Sequence, residues 1–299
     1  MDVFSSSPTC FIPLPSISLP TRFNHLAETI DVSLQKVKSW LQASAASTPS
    51  DNSLSNGLAE LSRVSSLVEN LLQVPTTQRM IIGIRGKNCI DVVLNGYVGL
   101  LEACNVIREL LMMTKERSQG LHSVFRRKGA NRATTCSIDA FVISRGSKKK
   151  IVHQCLYQSN QVSENCSRYS EAEKDPETLV LLKVMGDVII ISASVLSYLL
   201  TYFLSSCGNW CPWKVSTRFL LKNRVNRGNV LSQVDDSIHA LRMLFSGKGG
   251  GDVDGVAMRE TQRRLKAVEE QMDHLEIRLE NVFKGMIQNR VSLLNIISN

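Results

Sequence analysis

Aromatic side chains are scarce in this chain, with three Trp, five Tyr and nine Phe in 299 residues. Sheet-on-sheet cores draw heavily on aromatic and β-branched side chains, so this composition argues against a β-sandwich. Helices packed through Leu, Val, Ile and Met suit it better. Acid is also short relative to base. Lys and Arg number 35 against 27 Asp and Glu, a formal net charge of +8, which points weakly to an anionic partner.

Assembled chemistry is absent from the motifs as well. The eight cysteines (Cys10, Cys89, Cys104, Cys136, Cys155, Cys166, Cys207 and Cys211) are scattered and read as reduced thiols of a cytosolic type of compartment. Cys207 and Cys211 form a spaced pair, but a structural zinc site needs four ligands and no second pair lies nearby. The segment from Gly83 to Asn88 lacks the spacer and the closing Ser or Thr of a phosphate loop. Gly247 to Gly251 is linker composition. The histidines, His25, His122, His153, His239 and His274, fall in separate segments, with no metalloprotease spacing and no nucleophile elbow. The expectation is therefore no enzyme: no catalytic, cofactor-binding or metal-ligating residue is assigned, and no cofactor.

What the chain does contain is helical periodicity. Its clearest form is near the end. Met258, Thr261, Leu265, Val268, Met272, Leu275, Leu279, Val282, Met286, Asn289, Leu293 and Ile296 are separated alternately by three and four residues. This is a heptad seam, and it predicts one long helix with a narrow apolar edge. The acids around it, Glu269, Glu270, Asp273, Glu276 and Glu280, read as a solvated face, with Glu280 set to pair with Lys284. Alone, the seam suggests a dimerising coiled coil, in which Asn289 would select register. Phe283 and Ile287 widen it, which favours an intramolecular bundle. The expected partners are residues 88–113 and 177–206 of the same chain.

Upstream, Leu26, Ile30, Leu34, Val37 and Leu41 give a first helix, and Leu58, Leu61, Val64, Val68 and Leu71 a second, stopped by Pro75. A broad apolar face from Ile90 to Leu111 marks a central helix, within which Gly96 and Gly99 would let a neighbour approach closely. Another helix is expected from about Ser137 to Tyr157. Pro176 suits the first turn of the next, which runs to about Ser206. Leu231, Val234, Ile238, Leu241 and Phe245 give one more. The fold class is all-α: an elongated multi-helix bundle with a long, heptad-patterned C-terminal helix. Residues 1–20 read as a disordered leader, ahead of a plastid transit peptide, with no charged segment of the secretory kind. Residues 21–299 read as a single helical domain with flexible linkers near 43–57, 126–136, 158–176 and 246–256.

The stretch 188–206 carries no charge and approaches the composition of a membrane span. Asp187, Ser194, Ser197, Thr201 and Ser205 lie on one stripe of it, which favours a central bundle helix over a span. The basic zones 126–150 and 214–227 could meet an anionic membrane surface. Nucleic acid ranks last, because no recognised motif accompanies the charge.

Three runs together carry a resemblance: Ser16 to Arg22, Leu61 to Gln78, and Asn289 to Ser298. With Leu100 to Asn105 and Ser137 to Phe141, they resemble the plant-specific BYPASS-like family almost from end to end. The resemblance implies an all-helical plant protein with no established enzymatic activity, acting in root and shoot development by restraining a root-derived mobile signal. An unknown protein partner is expected, and with the reduced thiols a cytoplasmic location, with membrane association second and a plastid ranked lower. A membrane-associated regulator anchored by 188–206 is the alternative. Oligomeric state is not implied.

Overall fold

The computed structural model describes residues 19–46, 51–84, 88–128, 132–147, 149–168, 175–205, 229–246 and 255–298. Within them are nine helices and no strand: α1 (Leu19–Ala46), α2 (Asp51–Leu72), α3 (Pro75–Gly83), α4 (Asn88–Lys128), α5 (Arg132–Ser147), α6 (Lys149–Arg168), α7 (Pro176–Ser205), α8 (Val230–Ser246) and α9 (Gly255–Ser298). The all-α expectation holds, and the long final helix is present.

Local chemistry sets several boundaries. Pro75 does end the pattern of α2, but it also opens α3. Val74 is extended (φ −74°, ψ 125°), and Pro75 takes the first helical turn, where its missing N–H costs nothing. At α7, Asp175 caps the helix by accepting a hydrogen bond from the Thr178 backbone N–H at 3.0 Å, and Pro176 follows it. At α8, Asn229 Oδ1 accepts from the Ser232 N–H at 2.6 Å.

The connections are shorter than the sequence suggests. The polar 43–57 stretch is mostly helix, because α1 runs to Ala46 and α2 begins at Asp51. Its polar residues tie the two helices together. Trp40 Nε1 donates to Ser53 Oγ at 2.8 Å, and the hydroxyls of Ser44 and Ser53 are 3.3 Å apart. Gly57 lies beneath the indole, where a Cβ would sit 2.4 Å from Trp40 Cη2. The 158–176 stretch is helical as far as Arg168. It is polar because only a narrow edge, including Ser159 and Cys166, is buried. In 126–136, α4 continues to Lys128 and α5 begins at Arg132, and in 246–256, α9 begins at Gly255. The single helix expected over 137–157 is two, α5 and α6. Of the leader expected over 1–20, Leu19 and Pro20 open α1; its residues 1–18, the Cys207–Cys211 pair, the basic 214–227 segment and Gly247 to Gly251 lie outside the described residues.

The buried apolar side chains form one continuous cluster drawing on α1 to α9. Eleven of the twelve seam residues of α9 are buried, and Met258 packs against the core at its edge. α9 packs on α4 as expected. Its other main neighbour is α2, with α8 at its N-terminal half, rather than the 177–206 helix. The reason lies in the two apolar surfaces. α7 is apolar nearly all round and is enclosed by α6, α4, α1 and α2, whereas the narrow seam of α9 fits a wedge between two helices.

Two helices, over Asn88–Arg127 and Pro176–Leu204, are long and apolar enough to cross a membrane, and 67% of the most apolar α7 window is buried inside the bundle. Two hydroxyls of its polar stripe are satisfied within the helix. Ser194 Oγ donates to the Ile190 carbonyl at 2.9 Å and Thr201 Oγ1 to that of Tyr198 at 2.7 Å.

Candidate functional site

Three charged rungs join α4 to α9. Arg108, Lys115 and His122 recur every seven residues along α4, so they share one edge of the helix. Facing them on α9 are Glu280, Asp273 and Glu269 in descending order, which makes the two helices antiparallel. Arg108 Nη2 pairs with Glu280 Oε2 at 2.5 Å, Lys115 pairs with Asp273, and His122 Nδ1 lies 4.0 Å from Glu269 Oε1. The Arg108 guanidinium also lies over the Phe283 ring, 4.6 Å from its centre, a cation–π contact.

These acids are not the freely solvated face that composition suggests. The hydrogen bond to Asp273 holds the Lys115 ammonium above its ordinary pKa. Burial raises the Glu269 carboxyl, opposed by the charge of His122, and its side chain is only 18% exposed. Further out, Glu260 is held down to about 2 by hydrogen bonds from Arg263 and Arg264. Arg264 Nη1 also reaches α8, donating to the Gln233 carbonyl at 2.9 Å and Ser237 Oγ at 2.7 Å. The expected Glu280–Lys284 pair is present at 3.6 Å.

Toward the C-terminal end of α9 the junction becomes a buried polar node. Tyr97 of α4 and Asn289 of α9 are each 1% exposed. They face one another, but neither the phenol oxygen nor either amide atom has a hydrogen-bond partner of good geometry. Burial pushes the Tyr97 phenol well above its ordinary range, moderated by Asn289 and reinforced by the charge of Glu69. Glu69 of α2 accepts from Ser292 Oγ, 3.0 Å from both carboxylate oxygens. The node therefore joins α2, α4 and α9.

The thiols lie deeper. Burial raises Cys104 to about 12 and Cys155 and Cys166 to about 11, so they are protonated at neutral pH and poor nucleophiles or metal ligands. Cys104, Cys136, Cys155 and Cys166 are free thiols. Among the described residues, no three His, Cys, Asp or Glu side chains are grouped to hold a metal ion. The histidines sit on five different helices, α1, α4, α6, α8 and α9. The sequence reading assigned no site residue, and it missed the ionic rungs. Their signal was available in the seven-residue recurrence of Arg108, Lys115 and His122, which a search for apolar spacing alone passes over.

This junction holds long helices in register, with its ionic rungs along a partly exposed edge and its polar node buried. Comparison with curated proteins finds no match, and comparison with solved structures finds none either. The family model described as Protein BPS1 matches residues 57–296, which takes in α3 to α8 whole, most of α2 and all but the last two residues of α9. The resemblance carried by the runs at Leu61 to Gln78 and Asn289 to Ser298 is thereby borne out, and the chain belongs to the BPS1 family.

Proposed function

We propose that this chain is a non-enzymatic helical interaction protein, a regulator in plant root and shoot development that restrains a root-derived mobile signal by binding a protein partner in the cytoplasm. Membership of the family supports the developmental part of this reading. The observation that carries the interaction part is where the reactive side chains are spent. Arg108, Lys115, Asp273 and Glu280 are engaged in rungs between helices, and Cys104, Cys155 and Cys166 are buried as neutral thiols. The chemistry goes into a stiff platform of helices, two of them about 60 Å or more long at 1.5 Å per residue. Affinity purification of the tagged chain from plant root tissue, with mass spectrometry of what co-elutes and reciprocal capture by the candidate, tests it. A stoichiometric protein partner is expected. Turnover of a small-molecule substrate by the pure chain, lost on a point substitution, would overturn the non-enzymatic assignment.

A membrane-associated regulator anchored by 188–206 is the second reading, favoured by the length and apolarity of α7. Carbonate extraction of cell membranes separates the two. Recovery wholly in the soluble fraction removes the anchor, and retention in the pellet removes the cytoplasmic reading.

A further inference from the structure

The side of α9 turned away from the core carries a second stripe. Ile277, Glu280, Lys284 and Ile287 are spaced by three, four and three residues, which sets them on one helix face. Ile277 is 63% exposed and Ile287 39%, and Val291, one turn on, is 41% exposed. The Lys284 side chain is 71% exposed. Scattered single apolar residues on a surface are ordinary, but here they share a face with an acid and a base in a fixed order.

That order is self-complementary. Read along α9 the stripe runs apolar, acid, base, apolar. A second copy laid antiparallel, with the two-fold axis passing near Val282, sets Ile277 of each chain against Ile287 of the other, and Glu280 of each against Lys284 of the other. A parallel copy in the same register would put Glu on Glu and Lys on Lys, so the charges select the antiparallel arrangement. The existing rung does not stand in the way. Glu280 uses Oε2 for Arg108, while its Oε1 lies 3.6 Å from its own Lys284, a long contact that the second copy's Lys284 replaces. We infer that a second copy of this chain docks antiparallel along the Ile277–Ile287 stripe of α9, forming an isologous two-fold dimer in which Glu280 Oε1 accepts from Lys284 of the second copy. With two isoleucines from each chain flanking the central charge pairs, the interface is small, so the association is weak and weakens further with salt.

Sedimentation velocity of the full chain over a series from micromolar to hundreds of micromolar tests this. The wild type is expected to shift from monomer to dimer across the series. Lys284→Glu sets Glu against Glu and is expected to lose dimer. The double variant R108E/E280K keeps its own rung by reversing it, sets Lys against Lys, and is expected to lose dimer as well. An equimolar mixture of the two restores Glu–Lys pairing at both positions and is expected to recover it. Ile277→Asp, at an exposed position, is expected to lose dimer with an unchanged circular dichroism spectrum. A wild type that stays monomeric throughout overturns the inference and leaves the stripe to another protein's helix. A dimer that is indifferent to Lys284→Glu, or a mixture that stays monomeric, overturns it too.

Discussion

Gly285 of α9 lies directly against Ser65 of α2, and a Cβ added to Gly285 would be 2.8 Å from Ser65 Cβ. Both atoms are fixed to their backbones, so relief requires one helix to move. Alanine recovers up to about 1 kcal/mol of helix propensity over glycine, but overpacking a tight contact costs about 1–3 kcal/mol. Gly285→Ala is therefore expected to lower the unfolding free energy by about 1–2 kcal/mol net. Gly96 of α4 is the control. A Cβ there would sit 2.7 Å from Ile189 Cδ1 and 3.0 Å from its Cγ2, atoms of one side chain that rotation about χ1 moves together without shifting a helix, so Gly96→Ala should cost less than Gly285→Ala. Urea titration of both variants checks the order, and a Gly285→Ala chain as stable as the wild type contradicts it.

Asn289 occupies a seam position where α9 otherwise buries Met286 and Leu293. Its amide is sealed from solvent without a good partner, a condition that costs about 1–3 kcal/mol. Asn289→Leu fills a similar volume without that cost and is expected to raise the unfolding free energy by about 1–2 kcal/mol. Asn289→Asp places a charge in the same site near the Glu69 carboxylate and is expected to lower it by about 3 kcal/mol. If Leu proves the more harmful of the two, the amide has a stabilising partner in solution.

Much of this architecture was legible in the sequence, for a definite reason. The α9 seam is an unbroken run of three- and four-residue steps, and helical burial imposes that period directly. The close approaches at Gly96, to Ile189, and at Gly99, to Val162, follow from the missing side chains. Composition misled where polar residues serve helix contacts. The Ser- and Asn-rich start of α2 reads as a linker, but Ser53 accepts from Trp40, and no local pattern reveals a partner thirteen residues away. The choice of α2 over α7 as a neighbour of α9 was not legible either. Periodicity identifies which face is buried, and it says nothing about which apolar helix covers that face.

The Arg108–Glu280 rung lies at the edge of the junction, its side chains 36% and 39% exposed, so solvent screens it. A double-mutant cycle over Arg108→Ala and Glu280→Ala is expected to give a coupling of about 0.5–1 kcal/mol, falling in high salt. Phe283 complicates the single variants, because Arg108→Ala also removes the contact with its ring. The Arg108→Ala loss should therefore exceed that of Glu280→Ala by about 0.5 kcal/mol or more. Equal losses would mean that the cation–π contact adds nothing measurable.

Glu269 gives the junction a pH response of definite sign. Burial raises its carboxyl pKa in the folded chain, so the folded state holds the proton more tightly than the unfolded state. The cost of the buried charge is absent below the unfolded pKa and is fully present once pH rises through the folded one. His122, Lys115, Asp273 and Glu270 act on the same carboxylate, so the comparison must be made against the wild type at each pH. Glu269→Gln carries no such charge. Its melting temperature relative to wild type is expected to be higher at pH 7 than at pH 4. A difference that does not change between those values, or that changes in the other direction, would show that His122 and Lys115 offset the burial in full.

The cysteines separate by exposure and ionisation together. Cys104, Cys155 and Cys166 are buried, and their thiols are pushed up to about 12, 11 and 11. Cys136 of α5 is exposed. Alkylation proceeds through the thiolate and requires access, so both factors protect the first three. Brief iodoacetamide treatment of the native chain at pH 7.5, followed by peptide mapping, is expected to label Cys136 and leave those three largely unmodified. The same treatment in denaturant should label all four. Cys155 and Cys166 lie on α6, which packs on α4 and α7, so their labelling in native buffer reports local opening of α6. Cys104 lies on α4, within the core that α4 shares with α9, and its labelling should follow global unfolding. If Cys104 reacts as fast as Cys136 in native buffer, α4 does not hold the central position described for it.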